Sequence, residues 1–290
     1  MRAGPLSRVP ASAGTRGRGA TVIRMAHRGL DCEGFIEREG SLGRVPAPFR
    51  DVVAAARTRI AEAYGQRLHS AYLYGSVPRG TARPGRSDLD LLLALHREPT
   101  GEDRDTAEVL ARGLDLDFAQ TDGAGILLYG KETLLSEAER HDLGWFLACL
   151  CTPLLGADLA EHLPRYRPDA LLARETNGDL DDVLATARER AAAARTDAEL
   201  RKLNRFLARR LVRTGFTLVM PRWGGWTSDL AESARVFAGY YPDRADQMRA
   251  AATQGLDPGP DREILRTHLD DLGPWLAAEY TARLGRRSRH

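Results

Sequence analysis

The chain has 290 residues, enough for one large core or two modest ones. A hydrophobic fraction of 43% with 28% charged residues is ordinary for a soluble globular protein, and no apolar run approaches the roughly 20 residues of a membrane span. Three cysteines (Cys32, Cys149, Cys151) are too few for a disulfide scaffold, and a net charge of +2 gives no sign of nucleic-acid binding. A cytoplasmic protein with neither membrane nor nucleic-acid partner is expected.

Residues 1–46 read as a disordered or extended tail. The first 30 hold six arginines and no acid, with neither apolar periodicity nor the apolar stretch of a secretory signal. Without those six, thirty-six cations face forty anions, a net of −4 for the remainder. Lysine occurs only at Lys131 and Lys202. With heavy use of Ala, Gly and Leu this reads as a GC-rich coding bias of bacterial type, so the number of arginines alone says little about phosphate binding.

The first helix begins near Pro48, where Phe49, Val53, Ala56, Ile60 and Tyr64 recur at helical spacing. A short strand, 70–74, is followed by a Gly/Pro/Arg-rich loop and a second strand, 88–95. A helix from Thr100 or Asp103 through Arg112 precedes Leu114-Asp-Leu-Asp-Phe118, whose alternation predicts a third strand. A fourth strand, 125–129, leads into an apolar helix over 133–150. Beyond the prolines at 164 and 168 nearly everything reads as helix, with Leu200, Leu203, Leu207 and Leu211 as one apolar stripe and Leu265, Leu269, Leu272 and Leu276 as another. The expected architecture is an α/β (α+β) domain at 47–160 with a small mixed sheet, followed by an all-α domain at 165–286.

Chemistry concentrates between Tyr74 and Leu91. Asp88 and Asp90 stand two apart on a strand, so both carboxylates project from one face. Such a pair repels itself unless a cation neutralises it, and an all-oxygen site suits Mg²⁺, which borrows further ligands from water and substrate phosphates. At the end of the preceding strand, the Gly75-Ser76 turn offers exposed N–H groups and a hydroxyl to phosphate. Metal carboxylates, a phosphate-gripping turn and nearby arginines make a site for phosphoryl or nucleotidyl transfer.

The order apolar-Gly-Ser, eleven residues, Asp-apolar-Asp-apolar resembles the signature of the DNA polymerase β-like nucleotidyltransferase superfamily. Ser87 before Asp88, and Arg79-Gly80 in the loop, resemble its small bacterial branch of aminoglycoside and minimal nucleotidyltransferases. The resemblance implies that Asp88 and Asp90 hold Mg²⁺, with two ions expected. It implies that Gly75, Ser76 and Arg79 grip the triphosphate of ATP, and that Ser87 serves the same binding region, chiefly by orienting the carboxylate loop. A third carboxylate on a neighbouring strand is also implied, as ligand or base. Asp115 and Asp117 are the candidates, and Asp117, flanked by Leu116 and Phe118, is favoured. The expected reaction is in-line attack of an acceptor hydroxyl on the α-phosphate with loss of pyrophosphate. The expected acceptor is a small molecule, with a cationic, aminoglycoside-like compound the most concrete candidate.

The Ser-Lys pair common in the helical domain of that branch is replaced here by Thr227-Ser228, so no lysine contact carries over. Arg205 and Arg213 are possible substitutes, each also explicable as a surface arginine. Lys131 reads as a solvated helix start, Trp223 and Trp226 as either cleft lining or a plug between helices, and Cys149 and Cys151 as core thiols. Two alternatives remain open on sequence: adenylylation of a protein or RNA partner, and a nucleotide-binding regulatory module without turnover.

Overall fold

The computed structural model describes residues 28–288. Helix α1 (Arg50–Tyr64) buries Val52, Val53, Ala56, Ile60 and Tyr64, the expected helical face. Strand β1 (Leu68–Tyr74) passes through Gly75 into the four-residue helix α2 (Ser76–Arg79), then a loop and strand β2 (Leu89–Leu95). Helix α3 (Gly101–Asp117) crosses to β3 (Ala124–Gly130), and the short helices α4 (Lys131–Leu135) and α5 (Trp145–Leu150) precede β4 (Thr152–Gly156). The strands form one mixed sheet in the order β3-β2-β1-β4, with β2 and β3 parallel and the other pairs antiparallel.

The composition of β2 determines where chemistry can sit. Leu89, Leu91, Leu93 and Leu95 pack with α1 and α3, while Leu92 and Ala94 pack on the opposite face with Leu134, Leu147 and Leu159. A central strand apolar on both faces is buried on both. Asp90 shares the face of Leu92 and Ala94 and turns that face polar at its opening end.

The helical half comprises α6 (Ala170–Asn177), α7 (Leu180–Ala193), α8 (Asp197–Trp223), α9 (Leu230–Ala238), α10 (Ala245–Leu256), α11 (Arg262–Thr267) and α12 (Gly273–Leu284). Both expected leucine stripes lie in its single core, which also takes in Trp145, Cys149 and Ile36. Helix α8, about 40 Å long, starts at a capping box in which Thr196 and Glu199 satisfy each other's backbone N–H groups. Among the described residues no helix is long and apolar enough to cross a membrane.

His268 belongs to this core, its Nδ1 buried without a hydrogen-bond partner. Burial lowers its pKa from 6.5 to about 4. The folded state therefore refuses a proton that the unfolded chain accepts, and stability is lost as pH falls from 6.5 towards 4. The full effect is about 3 kcal/mol. Denaturant unfolding at pH 7 and pH 4.5 is expected to show a smaller acid loss in His268→Leu than in the native chain. An equal loss in both would exclude His268 as its source.

Three sequence expectations are corrected. Residues 114–118 are not a strand: Ala107, Leu110 and Leu114 bury the inner face of α3, which runs on to Asp117 with Leu116 85% exposed. The Leu-Asp alternation is a helix end turning its outer side to water. The single helix over 133–150 is broken into α4, a π-helical turn (Arg140–Gly144) and α5, and Thr152–Gly156 adds an unexpected edge strand that admits Pro153. Of the expected tail, residues 1–27 lie outside the described part, but 28–46 form a strap across the body. Its backbone N–H groups at Ile36, Glu39 and Ser41 donate to Tyr166, Cys149 and Pro78, and its Arg28 carbonyl accepts from Trp226. Such long-range backbone bonds carry no local sequence signature.

Candidate active site

Gly75 has φ +80°, a conformation that side chains disfavour, and a Cβ there would lie 2.3 Å from Asp90 Oδ2. The Gly-Ser turn can therefore press directly against the Asp90 carboxylate. In register, Tyr74 stands opposite Asp90 on β1 and Gly125 stands opposite it on β3. Ser76 opens α2, and Arg79 closes it. Ser87 accepts a hydrogen bond from the Arg83 backbone at 2.9 Å, and its carbonyl accepts from the Asp122 N–H at 3.0 Å. In this structure Ser87 is thus a brace for the loop that delivers Asp88.

Burial is the main force on both carboxyls. It pushes the pKa of Asp90 up to about 6, with the charge of Asp88 adding to the shift and Arg209, Arg213 and Arg79 opposing it. Asp88 is raised too, by burial first, with Arg205 opposing and Asp122 and Asp115 adding smaller pushes. Two crowded carboxylates without full compensation are a fitting seat for a divalent cation. Their oxygens suit Mg²⁺, whose other positions water and phosphate fill. Among the described residues no cluster of three or more His, Cys, Asp or Glu side chains forms a metal cage.

Across from these carboxylates runs a row of arginines on one face of α8: Arg205, Arg209 and Arg213, each four residues from the next. Arg205 lies 3.6 Å from both Asp88 and Asp122 and bridges them. Arg209 donates its Nε to the Gly255 carbonyl. Neither Arg209 nor Arg213 has a carboxylate within ion-pair distance among the described residues. Arg213 keeps access to solvent although protein surrounds it, and burial together with Arg209, Arg79 and Arg210 lowers its pKa to about 10. Concentrated positive charge at the lip of two carboxylates, in excess of what they neutralise locally, is an arrangement suited to a polyanion.

The expected third carboxylate is placed differently. Asp117 ends α3, 55% exposed, and its carboxylate accepts from Arg59 of α1 at 2.5 Å. On β3, the parallel neighbour of β2, the residue beside Asp90 is Gly125. Asp122, just before β3, is the carboxylate that shares Arg205 with Asp88. Sequence reading passed over Asp122 because the alternating 114–118 segment claimed the strand next to β2. Lys131 pairs with its neighbour Glu132. Trp226 is a plug more than a lining: it is buried, with its ring edge-on to Trp145 and Phe216. An open groove of about 660 Å³ between α1 and β4, lined in part by Val53, Ala61 and Leu154, contains none of these groups.

The chain is similar to known proteins at two levels. Residues 55–122 match the family of the nucleotidyltransferase domain, a span that runs from α1 through the Gly-Ser turn and both carboxylates to Asp122. Among solved structures, the spectinomycin adenyltransferase from Enterococcus faecialis, determined with ATP and spectinomycin, aligns with a TM-score of 0.50. The alignment covers 80% of this chain and 98% of that one at 14% identity, a likeness of fold. No curated protein matches the chain in sequence.

Proposed function

We propose that this chain, whose residues 55–122 match the nucleotidyltransferase domain, moves AMP from ATP to a hydroxyl group of a small molecule. The observation that carries this reading is the pair Asp88 and Asp90 set against the arginine row of α8. The similar fold of an enzyme whose structure holds ATP and spectinomycin supports the choice of nucleotide and of a small acceptor.

In the proposed reaction the acceptor oxygen attacks the α-phosphorus in line. The new P–O bond forms as the bond to the bridging oxygen of the β-phosphate breaks, and pyrophosphate departs with that oxygen. Asp88 and Asp90 would hold Mg²⁺, which when bound would supply positive charge to offset that of the phosphates. Gly75 leaves room for the triphosphate to approach the backbone, Ser76 donates its hydroxyl to it, and Arg79, Arg209 and Arg213 neutralise its oxygens. We place the acceptor's proton on Asp122 and not on Asp117, which is engaged with Arg59 on the outer side of α3.

Pyrophosphate release from ATP and Mg²⁺ across a panel of hydroxyl acceptors, with spectinomycin among them, tests the reading, with Asp88→Asn as the blank. Release that depends on both Asp88 and an acceptor is expected. No release with any acceptor, in a protein that also fails to bind ATP, overturns it.

A further inference from the structure

The strap at residues 28–46 brings one carboxylate to the junction of the two halves. Glu39 accepts the indole N–H of Trp226 at 2.8 Å and the Ser228 hydroxyl at 2.5 Å, both from the connection between α8 and α9. The same carboxylate lies 3.6 Å from the Arg79 guanidinium of α2, which itself donates to Ser228. The Glu39 side chain is 16% exposed and Arg79 30%, so the charges meet largely out of water, where their attraction is weakly screened.

The strap is fitted tightly here. A Cβ at Gly40 would fall 2.4 Å from Thr152 Oγ1 and 2.9 Å from Pro78 Cβ, and the Ser41 N–H donates to the Pro78 carbonyl at 3.0 Å. Residues 39–41 therefore rest on α2 itself, the helix that follows the Gly-Ser turn. One guanidinium nitrogen of Arg79 is committed to Ser228 and faces Glu39, while its buried Nε has no partner. The free side of the guanidinium is oriented by the held side.

We propose that Glu39 is a positioning residue for nucleotide binding: held in place by Trp226 and Ser228, it fixes the phosphate-binding guanidinium of Arg79. This rests on the nucleotidyl-transfer reading above. It assigns to the strap a part in forming the nucleotide site that the 75–90 motif alone does not contain. Glu39 touches neither nucleotide nor acceptor; it acts by holding groups that do.

A double-mutant cycle read by calorimetry of ATP binding in the presence of Mg²⁺ tests the assignment, using the full chain as native protein, Glu39→Gln, Arg79→Gln and the double variant. Glu39→Gln is expected to weaken ATP binding about tenfold, and the double variant to bind no more weakly than Arg79→Gln alone, because Glu39 acts through Arg79. Glu39→Asp, which keeps the charge, is expected to recover part of the loss. Should Glu39→Gln fail to fold, Glu39→Asp against Arg79→Gln completes the same cycle. Additive losses overturn the proposal, since they mean that Glu39 supports the fold generally and not Arg79. Unchanged affinity in Glu39→Gln overturns it as well. A native chain that binds no ATP overturns the nucleotidyl-transfer reading and this assignment with it, an outcome distinct from binding with additive losses.

Discussion

Replacing Asp90 with Asn is expected to reduce nucleotidyl transfer about a thousandfold or more while leaving the melting temperature unchanged or raised. The activity loss corresponds to about 4 kcal/mol of transition-state stabilisation, in the range for removal of a central electrostatic group. The stability side follows from the direction of the shift. Burial, with Asp88 beside it, raises the Asp90 carboxyl from 3.8 to about 6. Between those pH values the folded state holds a proton that the unfolded chain releases, so stability falls as pH rises through the window, and the full cost is present at neutral pH. An amide of the same shape, still packed against Gly75, carries no such cost, and relief on the order of 1–2 kcal/mol is expected after allowance for solvent access. Melting curves with EDTA and with Mg²⁺ separate the effects. Mg²⁺ should stabilise the native protein and scarcely affect Asp90→Asn. A variant that keeps its activity, or that responds to Mg²⁺ as the native protein does, removes Asp90 from the metal seat.

The carboxylate pair and the Gly-Ser turn pressed against it were legible because their signal is local. Gly75, Ser76, Asp88 and Asp90 lie within sixteen residues at the adjoining ends of two paired strands, and the alternation that continues into β2 puts both acids on one face. The small mixed sheet and the helical half were legible for the same reason, from periodicity. What failed was whatever depends on distant partners. The segment 114–118 satisfies a strand pattern and a helix end equally, and only packing of Leu110 and Leu114 against the sheet decides for helix. Glu39 sits in a stretch without periodicity, so its engagement with Trp226, 187 residues away, leaves no trace nearby. Of the row Arg205, Arg209 and Arg213, the sequence offered Arg205 and Arg213 singly and not Arg209, because basic residues beside a leucine stripe normally describe a helix with one wet face. Its significance comes from the sheet opposite.

That row supplies the second large effect. Arg213→Gln is expected to weaken ATP binding about thirtyfold and at the same time to raise the melting temperature by a few degrees. The first expectation follows from chemistry: a charge-assisted hydrogen bond from a guanidinium to phosphate contributes about 1.5–3 kcal/mol, and thirtyfold is about 2 kcal/mol. Arg213 has no carboxylate within ion-pair reach among the described residues, so its charge is available to the nucleotide. The second expectation follows from the cost of assembling the row. Burial first, then the neighbouring Arg209, Arg79 and Arg210, depress its pKa from the ordinary guanidinium range to about 10, which means the folded state disfavours this cation relative to the unfolded chain. Both states are protonated at neutral pH, so the strain is borne there in full. Solvent access screens it to on the order of 1 kcal/mol, a few degrees in a chain of this size. An arginine whose removal stabilises the protein and weakens the ligand is held for the ligand. Thermal melting paired with ATP calorimetry reads both signs at once. If Arg213→Gln is destabilised and binds ATP normally, Arg213 is a structural feature of α8 and takes no part in nucleotide binding.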